Sequence, residues 1–278
     1  MSPQRHLARM PVRRARPGGA ASLAAILLAL GPAQAESSGR VPLEPDTWPF
    51  TAIGRVNVVT GPAHRSHCTG TLVGPRIVLT AAHCLYDSRL DTWVKPHQVH
   101  FVAGQARDRS GGHAEAEAIR LAPGVDLRRE TRPHPDAIRA DMIGRDWAVI
   151  TLKDALPGIA PVPWRIMPEA DLPAAAPGAV VAVAGYAFDR PYLPVIHRGC
   201  SARIDSPERG QLSSLCESGS GESGAPVLLL QPDGQAALVG IQTALIGAER
   251  VRNAYRGGIG RGVAAAAFAP VLEEMRAP

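Results

Sequence analysis

Between residues 156 and 177 the chain places six prolines, at 157, 161, 163, 168, 173 and 177. Each removes a backbone N–H and fixes φ, so no helix survives that density. The stretch reads as a linker between two parts of similar length. On both sides of it, short β-branched and apolar runs alternate with turn signals. Residues 50–59 run into Thr60-Gly61-Pro62, Gly74-Pro75 separates 66–72 from 76–80, and 99–103 close at Gly104. Residues 147–152 form a further strand. Beyond the linker, 179–185 and 195–204 read as strands, and 227–230 with 237–243 as a hairpin about Pro232-Asp233-Gly234. Residues 113–121 are undecided, since their Ala and Glu favour helix while their flanking turn signals favour strand. Residues 123–138, rich in Pro, Arg and Asp, read as a surface loop, and only 264–275 reads as a helix. Many short strands with one closing helix predict an all-β fold built of barrels.

The net charge of +5 has a local origin. Arg5, Arg9, Arg13, Arg14 and Arg16 all lie in the first 35 residues, which hold no acid, and the remainder carries 25 basic against 25 acidic side chains. A basic total of that origin gives no support for nucleic-acid binding. Residues 1–35 have the three parts of a secretory signal: a basic start, an apolar run over 20–30, and Ala33-Gln34-Ala35 as a cleavage site. The run is shorter than the roughly 20 residues that a spanning helix needs. The expectation is a secreted or periplasmic protein with no stable membrane insertion, its mature chain starting near Glu36; a retained anchor is the alternative. Residues 36–47, polar and Pro-rich, read as an extended lead-in or short pro-segment.

The four cysteines fit export. An even count in an exported chain reads as disulfides, with three connectivities open. Local pairing, Cys68–Cys84 and Cys200–Cys216, is the favoured one. Zinc ligation is the rival, although no Cys-x-x-Cys is present.

The chemistry centres on Gly221-Glu222-Ser223-Gly224-Ala225-Pro226. The glycines allow backbone angles that a Cβ opposes, so neighbouring N–H groups can converge on one point as an oxyanion hole requires. Such loops often do no more than turn, and a serine hydroxyl is a poor nucleophile until a base takes its proton. Imidazole suits that task because it titrates near neutrality. Of nine histidines, His83 stands out in Leu79-Thr80-Ala81-Ala82-His83-Cys84, after an apolar strand and beside a cysteine. A third group must hold the imidazole tautomer. Asp146 opens Asp146-Trp147-Ala148-Val149-Ile150, whereas nothing comparable follows Asp141. The order His, Asp, Ser excludes an α/β-hydrolase, whose order is Ser, acid, His, and Ala225 breaks the Gly-x-Ser-x-Gly pattern.

Together with Cys68-Thr69-Gly70-Thr71-Leu72, these motifs closely resemble the trypsin-like (chymotrypsin-fold) serine proteases, of the bacterial secreted type. The resemblance covers nearly all of the mature chain. It implies two six-stranded antiparallel β-barrels and a short C-terminal helix over residues 48–278, barrel one at about 48–155 and barrel two at about 178–265, with the active site in the cleft between them. It also implies roles: Ser223 as nucleophile, His83 as base, Asp146 as its orienting carboxylate, and the N–H groups of Gly221 and Ser223 as oxyanion hole. Thr243, in Val239-Gly240-Ile241-Gln242-Thr243, falls on the strand bordering the substrate, near the catalytic Asp; an ordinary strand threonine is the plainer reading. No metal or cofactor is implied. The implied partner is a protein or peptide substrate, acted on by a monomer.

Two departures from the family pattern bear on regulation. The family usually has Asp before the nucleophile, pairing with the new N-terminus that zymogen cleavage creates, but Glu222 stands here. No Arg-Ile-Val-Gly-Gly-like start is present, and Arg40-Val41 is only a faint counterpart. Specificity has one lead. Glu217 stands six residues before the serine, where relatives with a basic preference place an acid that would pair with Arg or Lys; a merely solvated glutamate is the plainer reading. Cys216 comes three residues early for the family's pocket cysteine, with Gly219 in its place, and Gln242 replaces the histidine of glutamate-specific relatives. Two rivals to a secreted endopeptidase remain: a catalytically silent binding protein on the same fold, and an esterase using the same three side chains.

Overall fold

A computed structural model describes residues 39–128, 139–172, 176–247, 249–251, 254–256 and 259–276. The expected signal segment 1–35, the first residues of the lead-in and most of the loop at 123–138 lie outside the described residues.

In chain order the first strands are β1 (Arg40–Pro42), β2 (Ile53–Gly61), β3 (His64–Gly74), β4 (Ile77–Thr80), β5 (Tyr86–Asp87), β6 (Thr92–Trp93), β7 (Val99–Ala103), β8 (Gly112–Leu121) and β9 (Ala148–Leu152). After the linker come β10 (Ala170–Asp171), β11 (Val180–Gly185), β12 (Val195–Arg198), β13 (Ala202–Ser206), β14 (Gln211–Ser214) and β15 (Pro226–Leu230). The last are β16 (Ala236–Ile246), β17 (Glu249–Val251), β18 (Ala254–Arg256) and β19 (Ile259–Ala264), then helix α1 (Ala265–Glu274).

The first half is a closed barrel in the order β2-β3-β4-β9-β8-β7. Closure leaves no unpaired edge. The undecided stretch 113–121 is β8, paired on one side with β7 and on the other with β9. Two ladders outweigh the weak helix preference of its Ala and Glu. Inward side chains fill the barrel: Val56, Leu72, Val78, Phe101, Ile150 and Leu152 are all fully buried.

The second half is a nine-stranded sheet, β1-β12-β11-β15-β16-β19-β14-β13-β10, so it curls without closing into a second six-stranded barrel. The stretch 195–204, expected as one strand, is broken where Gly199 turns with φ of 73°. Its two pieces serve different neighbours: β12 pairs with β11, and β13 with β14. The outer edge of β12 is taken by β1, and that of β13 by β10. β1 and β10 therefore form the two ends of the sheet, and among the described residues no ladder joins them. Leu172, Val181, Val183, Ile204, Leu212, Val227 and Val239 form its core.

The Pro-rich linker is bonded to both halves. Val162 N–H donates to Leu72 O of the barrel (2.9 Å), while Leu238 N–H donates to Pro163 O (2.8 Å) and Arg165 N–H to Leu238 O (2.9 Å). Helix α1 buries Ala265, Phe268, Ala269 and Leu272, an i, i+3, i+4, i+7 stripe. Phe268 packs edge-on against Trp147, one residue after Asp146, with ring centroids 6.3 Å apart. The closing helix therefore braces the segment that carries the candidate acid.

Candidate active site

His83 lies in a short 3-10 turn, Ala82–Leu85, that follows β4 directly. The Cys68–Cys84 disulfide ties this turn to β3, with Cα atoms 6.0 Å apart. Asp146 ends another 3-10 turn, Ala140–Arg145, just before β9, and β9 pairs with β4. The two turns therefore leave adjacent strands at the same end of the barrel. Asp146 is fully buried. Its Oδ1 accepts the backbone N–H of His83 at 2.8 Å, and its Oδ2 lies 2.7 Å from His83 Nδ1. A carboxylate only accepts, so Nδ1 carries the proton and Nε2 presents a lone pair. The half-buried His83 lines a cavity together with Ser223. One sulfur, Cys84 Sγ, lies 3.9 Å from His83 Nε2 and 3.8 Å from Ser223 O, which ties the two segments to a common point.

The loop over residues 219–225 is held peptide by peptide. Phe188 N–H donates to Ser220 O at 2.7 Å, and a trans peptide points its N–H opposite its C=O. That contact aims Gly221 N–H the other way. Ala225 N–H donates to Glu222 O at 2.8 Å, which does the same for Ser223 N–H. The intervening peptide is bonded at both ends: Thr69 Oγ1 donates to Gly221 O at 3.0 Å, and Glu222 N–H donates to Gly219 O at 3.1 Å. Among the described residues, neither Gly221 N–H nor Ser223 N–H donates a backbone hydrogen bond. Gly221 has φ of 93°, and an added Cβ would lie 2.4 Å from Tyr186 O. At Gly224, φ of 82°, a Cβ would lie 2.2 Å from Thr69 O. Only glycine fits these close approaches.

A cavity of about 440 Å³ opens beside this loop. The barrel supplies His64, Arg65, His67 and Arg89, and the second half supplies Phe188, Ser220, Gly221 and Ser223. His67 is buried, and burial with nearby Arg55 pushes it down to about 4, against the bond to Tyr186 O. It is therefore neutral and donates Nε2–H to Tyr186 O at 3.1 Å.

Glu222 is 1% exposed and is not among the residues lining the cavity. Its Oε2 accepts Gly219 N–H at 2.6 Å and lies 3.0 Å from Arg40 Nη2. Burial pushes its carboxyl up to about 7, while Arg40 and the Gly219 N–H pull the other way. The remaining expected site residues lie elsewhere. Glu217 is not among the residues lining the cavity, and its backbone N–H donates to His197 Nδ1 at 2.7 Å. Thr243 is buried on β16 and donates to Arg261 O at 3.4 Å. Both disulfides form with local pairing, Cys200 to Cys216 being the second. Cys68, His83 and Cys84 do gather as a metal site would, but the S–S bond spends both sulfurs and leaves no thiolate for zinc.

Sequence reasoning missed Thr69 and Arg40. Thr69 lies in a quoted motif, yet its role appears only when the loop folds onto β3. Arg40 stands out only as part of Arg40-Val41, and the signal for its pairing is the acid beside the serine, which needs a partner once buried.

The trypsin family model matches residues 39–260. Serine protease 23 of Rattus norvegicus is 31% identical over an alignment of 176 residues, with 58% of this chain and 42% of that relative covered. The chain thus spans less than half of that relative's length. A solved Glu endopeptidase in complex with MPD has a TM-score of 0.62 at 20% identity, over 87% of this chain and 99% of that one, a likeness of fold. With a family match over most of its length and a closed barrel joined to a curled sheet, the chain belongs to the trypsin family.

Proposed function

We propose that this chain is an exported serine endopeptidase that cleaves protein or peptide substrates through an acyl-enzyme. The observation that carries the reading is that His83, doubly bonded to the buried Asp146, lines one cavity with Ser223. In the first step Ser223 Oγ attacks the peptide carbonyl carbon, and its proton passes to His83 Nε2. Negative charge moves to the carbonyl oxygen, where the N–H groups of Gly221 and Ser223 receive it. As the C–N bond breaks, Nε2–H protonates the leaving amine. Water then attacks the ester with Nε2 as its base, releasing the acid and restoring Ser223. Asp146 stays ionised throughout and stabilises the imidazolium.

Two disulfides support a secreted or periplasmic location. A basic preference through Glu217 rests only on its place six residues before Ser223. A fluorophosphonate probe, with Ser223→Ala as control, tests the nucleophile: unlabelled wild type would leave a binding protein on this fold. A panel of matched peptide and ester substrates separates an endopeptidase from an esterase.

A further inference from the structure

The Glu222 carboxylate is buried directly beside the candidate nucleophile, where an unpaired charge is costly. Its cation comes from the far end of the sequence. Arg40 lies on β1, whose ladder to β12 sets Arg40 opposite His197 and Val41 opposite Ile196. That register delivers a side chain only 9% exposed to Glu222, with Asp189 as a second anion 3.6 Å away. Glu222 in turn bonds Gly219 twice, through its carboxylate and through its own N–H. The 219–222 turn that presents Gly221 N–H and Ser223 N–H is therefore closed around the Glu222 carboxyl group, with Arg40 as its counter-ion when it is ionised.

Resting on the reading of Ser223 as nucleophile, we propose that the Arg40 guanidinium is a positioning group that holds the 219–223 turn in its working shape. The cation that the resembling proteases obtain from a new N-terminus is here supplied by a side chain. The uncut chain is then already competent, and cleavage after Arg40 would separate this guanidinium from the chain that carries Glu222. The N-terminal stretch expected as an extended lead-in or short pro-segment becomes part of the active protein.

The test compares the full chain with Arg40→Ala, Arg40→Lys and the double variant Arg40→Ala with Glu222→Gln. Two readouts are taken: amide hydrogen exchange over 217–225 and the rate of fluorophosphonate labelling, both well below each variant's melting temperature. Arg40→Ala is expected to lose protection in that turn and to label about 100-fold more slowly, the scale of losing an oxyanion donor. Arg40→Lys should recover most of both, which a loss of bulk packing would not explain. If Arg40→Ala does not fold, the double variant, which leaves no uncompensated charge, carries the comparison; it should fold with an unprotected turn. Wild-type exchange in that turn for either alanine variant overturns the proposal. If wild-type protein is not labelled at all, the reading of Ser223 fails, while the exchange data still decide the role of Arg40.

Discussion

Removing one buried hydroxyl should weaken both the fold and the catalysis. Thr69 is fully buried, and its Oγ1 joins the halves, donating to Gly221 O at 3.0 Å and accepting Tyr186 N–H at 2.9 Å. Thr69→Val keeps the shape and deletes both bonds. An orphaned buried donor or acceptor costs about 1–3 kcal/mol. Two such groups, less the relief of burying one fewer hydroxyl, put the loss at about 3 kcal/mol. For a domain of this size that lowers the melting temperature by about 6–12 °C. The peptide between residues 221 and 222 also loses one of its two anchors, so the flanking N–H donors drift. We expect kcat on a peptide substrate to fall about 10- to 100-fold with KM little changed, since those donors act on the transition state. Thr69→Ser should restore both quantities. Calorimetry with steady-state kinetics measures them. Thr69→Val with an unchanged melting temperature and an unchanged kcat would refute the accounting of the loop's hydrogen bonds.

Other outcomes follow from the same geometry. Asp146→Asn keeps the packing but frees the wrong imidazole tautomer, so kcat should fall about 10,000-fold while the melting curve stays close to wild type. Reducing both disulfides, each closing a 16-residue separation, should cost about 3 kcal/mol per bridge, read by denaturant unfolding with and without reductant. Two buried groups give opposed pH dependences. His67 titrates near 4 in the fold instead of 6.5, so the unfolded chain binds the extra proton and stability falls as pH drops through that window. Glu222 titrates near 7 instead of 4.5, so the folded chain holds the extra proton and stability falls as pH rises through that window. Each is worth about 3 kcal/mol, and they largely cancel between their windows. His67→Gln should leave only the Glu222 slope, a melting temperature that declines from pH 5 to 7; a flat profile would contradict it.

Much of the site could be read directly from the chain. His83 and Cys84 are neighbours, Asp146 opens an apolar strand, and Ser223 sits between glycines that its loop demands. These are local patterns, because each element end must put one side chain at one place. The barrel strands of the first half were equally legible, as alternation and turn residues act within a few positions. The undecided 113–121 and the break at Gly199 were not. Whether a segment becomes strand, or where it changes partner, depends on neighbours far away in the sequence.

The sequence by itself determined the kind of chemistry: three side chain types in a fixed chain order, two cysteine pairs, and a turn-rich pattern that forbids a helical fold. Tertiary structure alone decided which groups hold the reactive loop. Thr69 meets Gly221, and Arg40 meets Glu222, only after β3 and β1 have found their registers. A buried polar atom must be paired wherever its partner lies in the chain, and sequence separation says nothing about which partner folding will bring.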